Sequence, residues 1–191
     1  APALAGLLAL LALALAAPAA AAGQPQGPTQ VLEREHQVIS VVVAAAETEA
    51  RAIRDQGYQP GRAAKFHDFF LNFTDRCHHA KEERFYFPAA AWDANRRQKN
   101  LLLELETDHN RARDLLGALA DALQEARDDP AAQAKVAGLL ESYADKLRVH
   151  MAKENQRLFP EARPGLGQAK RREVLAGFQK IEEKELGEGF H

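Results

Sequence analysis

The chain contains an internal repeat, which is clearest where residues 78–88, HHAKEERFYFP, align with residues 150–160, HMAKENQRLFP. The first histidine, the Ala-Lys-Glu triplet and the closing Phe-Pro pair match at an offset of 72 residues, the separation of His78 and His150. Upstream, residues 33–36 (EREH) resemble residues 106–109 (ETDH) at an offset of 73 residues. Two helical hairpins related in this way can pack about a pseudo-two-fold axis, which would bring both copies of the motif to one core.

Apolar residues recur at helical spacing in four long stretches, and glycine or proline marks their ends. Short connections between long helices favour an all-α fold, an antiparallel up-down-up-down four-helix bundle over about residues 31–160. A shorter amphipathic C-terminal helix is expected over about residues 168–185. The expected bundle helices cover about residues 31–56, 61–86, 97–127 and 130–158.

Composition narrows the classes of partner. The chain has 191 residues, a formal net charge of -2 and no long basic stretch, so nothing favours a nucleic acid or an anionic membrane surface. Cys77 is the only cysteine, which excludes an internal disulfide and a cysteine-based zinc site.

The N-terminal segment differs from the rest. Residues 1–22 are apolar and uncharged and end in small residues, which is typical of a secretory signal cleaved before Gly23. The only methionine is Met151, so we expect the start of this signal to be missing. The domain limits are then a signal peptide over 1–22, a linker over 23–30 and a folded domain over 31–191. We expect a periplasmic or extracellular protein; an uncleaved membrane anchor is the alternative.

Two His-x-x-x-Glu pairs are the strongest functional feature. Residues four apart share a helix face, so each pair offers one imidazole and one carboxylate on the same side. The first and third helices each add one histidine. Four histidines and two carboxylates suit two ions of intermediate softness, such as iron or manganese, and exceed what a single zinc ion uses. The predicted metal ligands are His36, His78, Glu82, His109, His150 and Glu154.

Two further histidines, His79 and His67, lie close to the predicted ligand His78 in sequence or on the helix face. The repeat register selects His78 as the ligand, because His79 aligns with Met151 and lies roughly 100° further around the helix. We therefore expect His79 to support the site from outside or to lie at the surface. His67 precedes His78 by three helical turns and could line the same channel, but Leu139 occupies its repeat position.

Tyr143 lies two turns before His150 on the same helix face. It is either a ligand or hydrogen-bond donor near the metals or an ordinary core tyrosine.

The runs DRCHHAKEE (residues 75–83) and HMAKEN (residues 150–155) resemble the two signatures of the hemerythrin-like HHE cation-binding proteins. The resemblance covers about residues 31–190. It implies a four-helix bundle that holds an oxo- or hydroxo-bridged centre of two iron ions. It also implies that the family's ligands fall on the six residues predicted above. The expected small partner is a diatomic ligand or peroxide.

The chain departs from the oxygen-carrying hemerythrins at two positions. Those proteins have a second histidine four residues after the one on the third helix, where this chain has Arg113. They also have an aspartate five residues after the last histidine, whereas Glu154 follows His150 by four. One histidine fewer implies an extra open metal position, which favours redox chemistry or iron handling over reversible oxygen carriage. Arg113 either attracts peroxide towards the metals or pairs with a carboxylate at the surface.

Three classes of function remain. The first is a protein that binds or senses a diatomic ligand, and the second is a ferroxidase or peroxide-consuming enzyme. The third is a ferritin-like carboxylate protein, whose Glu-x-x-His pairs would make Glu33 and Glu106 ligands and leave His78 and His150 without a role.

Overall fold

The computed structural model describes residues 27–187, and these residues form five helices and no strand. This confirms the predicted all-α bundle with a C-terminal helix. The predicted signal peptide and the first half of the predicted linker, residues 23–26, lie outside the described residues. No helix within residues 27–187 is long and apolar enough to cross a membrane. The helices are α1 (Pro28–Gln56), α2 (residues 62–91), α3 (Arg96–Glu125), α4 (residues 130–162) and α5 (Gln168–Leu186).

Short connections join the four bundle helices. Gly57 and Gly61 border the turn between α1 and α2 with φ angles of 91° and 84°, which glycine adopts without strain. Asn95 caps α3 by accepting a hydrogen bond from the backbone N–H of Gln98, at 3.0 Å. Asp129 caps α4, and Pro130 follows it in the first turn, at the predicted start of this helix.

Two helices end later than the sequence predicted. We expected α2 and α4 to end before Pro88 and Pro160, but both continue, to Ala91 and Ala162. Each proline falls in the first turn of a new α-helical segment, where its missing N–H costs nothing. A π-helical turn precedes each of these segments, as often happens at functional sites. The two π-helical turns are Glu82–Tyr86 and Glu154–Leu158.

The bundle core consists of two apolar clusters with a polar layer between them. On α1, Leu32 belongs to one cluster and Ile39 to the other, and the buried His36 lies between them. On α3, Leu105 and Ala112 flank His109 in the same way. The polar side chains of this layer are therefore surrounded by apolar residues that keep bulk water away from them.

Candidate metal centre

The structure brings all six predicted ligands into the polar layer, in two groups of buried side chains. Within each group the candidate ligand atoms all lie within 4.8 Å of one another. Glu82 belongs to both groups. We call them group A, which comprises His36, His78, Glu82 and Glu154, and group B, which comprises His79, Glu82, His109 and His150.

Of the two placements expected for His79, the structure excludes the one at the surface. Its side chain is 1% exposed, and its ring stacks on that of His109 at 3.9 Å between centroids, so the surface placement is wrong. Neighbouring residues on α2 point in different directions, and the bundle covers both: His78 faces α1, whereas His79 faces α3 and α4. The repeat concealed this role because the equivalent position holds Met151. The sequence contained one indication of the buried position of His79, which is Asp75 one helical turn earlier. Its Oδ1 lies 3.4 Å from His79 Nδ1.

The imidazole nitrogens of group A converge in a way that suits a cation. His78 donates its Nδ1–H to Glu35 at 2.8 Å, and His36 donates its own to the side-chain oxygen of Asn155 at 2.9 Å. In the neutral rings both Nε2 atoms then carry a lone pair, and they lie only 3.1 Å apart. Two facing lone pairs repel each other, and a metal ion that both can bind removes the repulsion.

Group B shows a similar close approach of two Nε2 atoms. His109 donates its Nδ1–H to Glu83 at 2.8 Å, and its Nε2 lies 3.0 Å from Nε2 of His150. Carboxylates behind imidazoles orient the rings and make them better metal ligands.

The two buried carboxylates extend across both groups. One oxygen of Glu82 lies 3.7 Å from His78 Nε2, and its other oxygen lies 3.4 Å from His109 Nε2. Oε2 of Glu154 lies 3.2 Å from Nε2 of both His36 and His150. No hydrogen-bond donor reaches any of these four carboxylate oxygens. Buried carboxylates without partners are costly, so the donor set fits cations that bind imidazole and carboxylate together, such as iron.

The electrostatic environment favours metal binding. Burial lowers the pKa of His78 to about 4 and also lowers the pKa of His79 and His109, which keeps these imidazoles neutral, as metal binding requires. Burial and the nearby Glu154 charge raise the pKa of Glu82. Burial acts in the same direction on Glu154, but His150 and His36 outweigh it and lower the pKa of that carboxyl.

Arg113 pairs with carboxylates, which is the second of the two roles considered for it. Its Nε donates to Asp75 at 2.8 Å, and its Nη2 donates to Glu83 at 2.6 Å. These are the carboxylates behind His79 and His109. Arg113 therefore braces two histidines of group B from outside the site.

The Phe-Pro pairs of the repeat have a structural role. Phe159 stacks on His36, and Phe87 stacks on His109, each with ring centroids 5.6 Å apart. Each phenylalanine thus fixes one imidazole plane on another helix. The repeated motif supplies this contact once in each half of the bundle.

Three residues considered as alternatives do not join the two groups. His67 is partly buried, and its Nδ1 lies 3.9 Å from Asp68. Glu33 accepts a hydrogen bond from Arg163 at 2.7 Å, and Glu106 is exposed. The structure therefore does not form the ferritin-like arrangement.

Tyr143 is buried in the apolar cluster beside group B. Its ring lies 4.5 Å from that of Phe70, and no donor or acceptor reaches its hydroxyl group. Burial also raises its pKa far above the usual range. It is a core residue that keeps a free hydroxyl.

Comparison with known proteins gives one match. The family model described as the Hemerythrin HHE cation binding domain matches residues 16–162, a range that includes every residue of groups A and B. No curated protein and no solved structure matches the chain significantly.

Proposed function

Because the chain belongs to the hemerythrin HHE cation-binding domain family, we propose that it binds two iron ions and uses them to react with dioxygen, peroxide or nitric oxide. The observation that carries this proposal is the pair of converging Nε2–Nε2 contacts, one in each group, at 3.1 and 3.0 Å. Glu82 contributes one oxygen to each group, which supports two ions that share a bridging carboxylate.

Bound iron would supply the electrons and the exchangeable position at which a small oxidant reacts. The protein residues hold the imidazoles in fixed planes, lower the pKa of His78, His79 and His109, and exclude bulk water through the two apolar clusters. Group A offers two imidazoles and two carboxylates, and group B offers three imidazoles and one carboxylate, so each group supplies four candidate ligands. In this proposal His79 acts as a fifth imidazole ligand, so the presence of Arg113 in place of a histidine leaves no extra open position.

The first prediction is the metal content. Anaerobic loading with ferrous iron is expected to give two irons per chain by elemental analysis, because each group supplies its own imidazoles. At a free iron concentration of 100 times Kd, each ion stabilises the fold by about 2.7 kcal/mol. The thermal midpoint should then rise by roughly 5–10 °C per ion. One iron per chain, or none, would contradict the proposal.

The reaction with small oxidants is tested by stopped-flow mixing of the ferrous protein with oxygen or peroxide. We expect the near-ultraviolet absorption of an oxidised iron pair to appear, and repeated consumption of peroxide would identify an enzyme. A reversible change on oxygenation would identify a carrier or sensor. An unchanged spectrum would refute reaction with these oxidants. His67→Ala is the control and should behave as the wild type, since His67 lies outside both groups.

We also propose that the protein is exported, on the basis of the apolar, uncharged residues 1–22. Mass spectrometry of the native protein should then find a mature chain that begins near Gly23. Retention of residues 1–22 in soluble protein would contradict export by signal cleavage. Recovery of the uncleaved chain in membranes would support the anchored alternative.

A further inference from the structure

Lys81 is a charged residue on α2 with no exposed surface. Its ammonium group donates to Glu35 on α1 and to Glu182 on α5. A buried lysine is stable only when carboxylates compensate its charge. Here one of the two carboxylates comes from the C-terminal helix, which lies outside the four-helix bundle.

The same contacts lead on to group A. While Oε1 of Glu35 accepts from Lys81, its Oε2 accepts the Nδ1–H of His78 at 2.8 Å. The position of this carboxylate is therefore set by Lys81 as well as by His78. A continuous chain of charged and polar groups connects Glu182 on α5 to an imidazole of the candidate metal centre.

In the second half of the repeat, the corresponding lysine is paired with two carboxylates without any contribution from α5. Lys153 stands at the repeat position of Lys81, and it binds Asp108 and Glu104, both on α3, at 2.6 Å. The repeat position of Glu104 on α1 is Val31, which has no carboxylate. Glu182 therefore takes the part in the first half that Glu104 takes in the second.

Helix α5 packs closely against α2. A Cβ atom on Gly177 would come within 2.3 Å of the Phe85 ring, so only glycine allows this approach of α5 to α2. Phe178 is buried in the apolar cluster that contains Leu32, and Ile181 packs with Cys77 in a smaller cluster. These contacts fix the position of α5 along α2 and therefore the position of Glu182 relative to Lys81.

We propose that α5 is a positioning element for the metal centre: Glu182, acting through Lys81 and Glu35, sets the orientation of His78. Docking of α5 and retention of the ion in group A are then coupled. By reciprocity, the ion in group A strengthens the docking of α5. This inference rests on the proposed binding of metal.

The first test compares Glu182→Gln with Glu183→Gln, an exposed residue on the same helix that undergoes the same change of charge. Both proteins are loaded with ferrous iron without oxygen, and release to a chelator is followed. In Glu182→Gln, one of the two irons should leave up to about 10-fold faster, the lower end of the effect seen for groups bonded directly to metal ligands. The second iron should leave at the wild-type rate. Glu183→Gln should match the wild type throughout. Wild-type release from Glu182→Gln, or equal acceleration of both irons, would overturn the proposal.

Gly177→Ala changes no charge and tests the docking alone. Its Cβ must displace α5 from Phe85, so the same single iron should be released faster. Parallel loss of both irons, in proportion to a fall in thermal midpoint, would show that α5 only adds general stability.

A measurement on the metal-free protein separates this inference from the proposed function. With isotope-labelled histidine, Glu182→Gln should shift the Nδ1–H resonance of His78 and leave the ring resonances of His150 unchanged. Absence of iron binding in the wild type would refute the proposed function, yet this comparison would still test the coupling. An unchanged His78 resonance would refute the positioning role.

Discussion

Replacing Glu82 with alanine is expected to remove both metal ions. Its two oxygens face different groups, at 3.7 Å from His78 Nε2 and 3.4 Å from His109 Nε2, so both ions lose a ligand at once. Elemental analysis after anaerobic iron loading measures the effect. Glu106→Ala is the matched control, because Glu106 is exposed and should leave both irons in place. Retention of one full iron in Glu82→Ala would show that Glu82 does not bridge.

In the metal-free protein, by contrast, the ionised Glu82 carboxylate should destabilise the fold. The pKa of Glu82 is raised in the folded state above its ordinary value of 4.5, by burial and by Glu154. The folded protein then holds this proton more tightly than the unfolded chain does. Its contribution to stability is present below the unfolded pKa and is lost as pH rises through the folded pKa.

Glu82→Gln keeps the shape of the protonated carboxyl group and cannot ionise. Without metal, its free energy of unfolding should equal that of the wild type near pH 4 and exceed it by about 1–3 kcal/mol at higher pH. Urea denaturation across this pH range measures the difference. A difference that shrinks with rising pH would reverse the sign and contradict the prediction.

Replacing His79 with alanine is expected to release one of the two irons. The structure places its ring among the candidate ligands of group B, and its Nε2 is buried without a hydrogen-bond partner. Loss of a metal ligand should lower the affinity for that ion by more than the roughly 10–100-fold seen when a residue behind a ligand is lost. Iron titration of His79→Ala beside His78→Ala tests this. Each should lose one ion, His78→Ala from group A and His79→Ala from group B.

The control for this comparison is His67→Ala, which removes an imidazole from the same helix outside both groups. Wild-type iron content and affinity in His79→Ala would return this residue to the supporting role that the repeat register predicted. The outcome therefore decides between four and five imidazoles at the centre.

The sequence alone determined the features that depend on spacing within one helix. The pairs His78–Glu82 and His150–Glu154 share a face because they are four residues apart, and this holds wherever the helix lies. The repeat then doubled the motif, so the family and the bundle could be predicted, and the family match confirmed that prediction.

The tertiary structure decided the features that depend on which helix faces which. Sequence spacing gives the direction of His79 on α2 but not the helix that covers that direction, so its place beside His109 was missed. Arg113 could be assigned only when Asp75 and Glu83 were seen beside it. The π-helical turns before Pro88 and Pro160 likewise escaped prediction, because a proline read by itself signals a helix end.

The contact of Lys81 with Glu182 joins residues 101 positions apart, and no periodicity links them. Local spacing fixes the face on which a side chain lies, because residues four apart are separated by about one helical turn. The partner across that face depends on how five helices pack, which is a property of the whole chain.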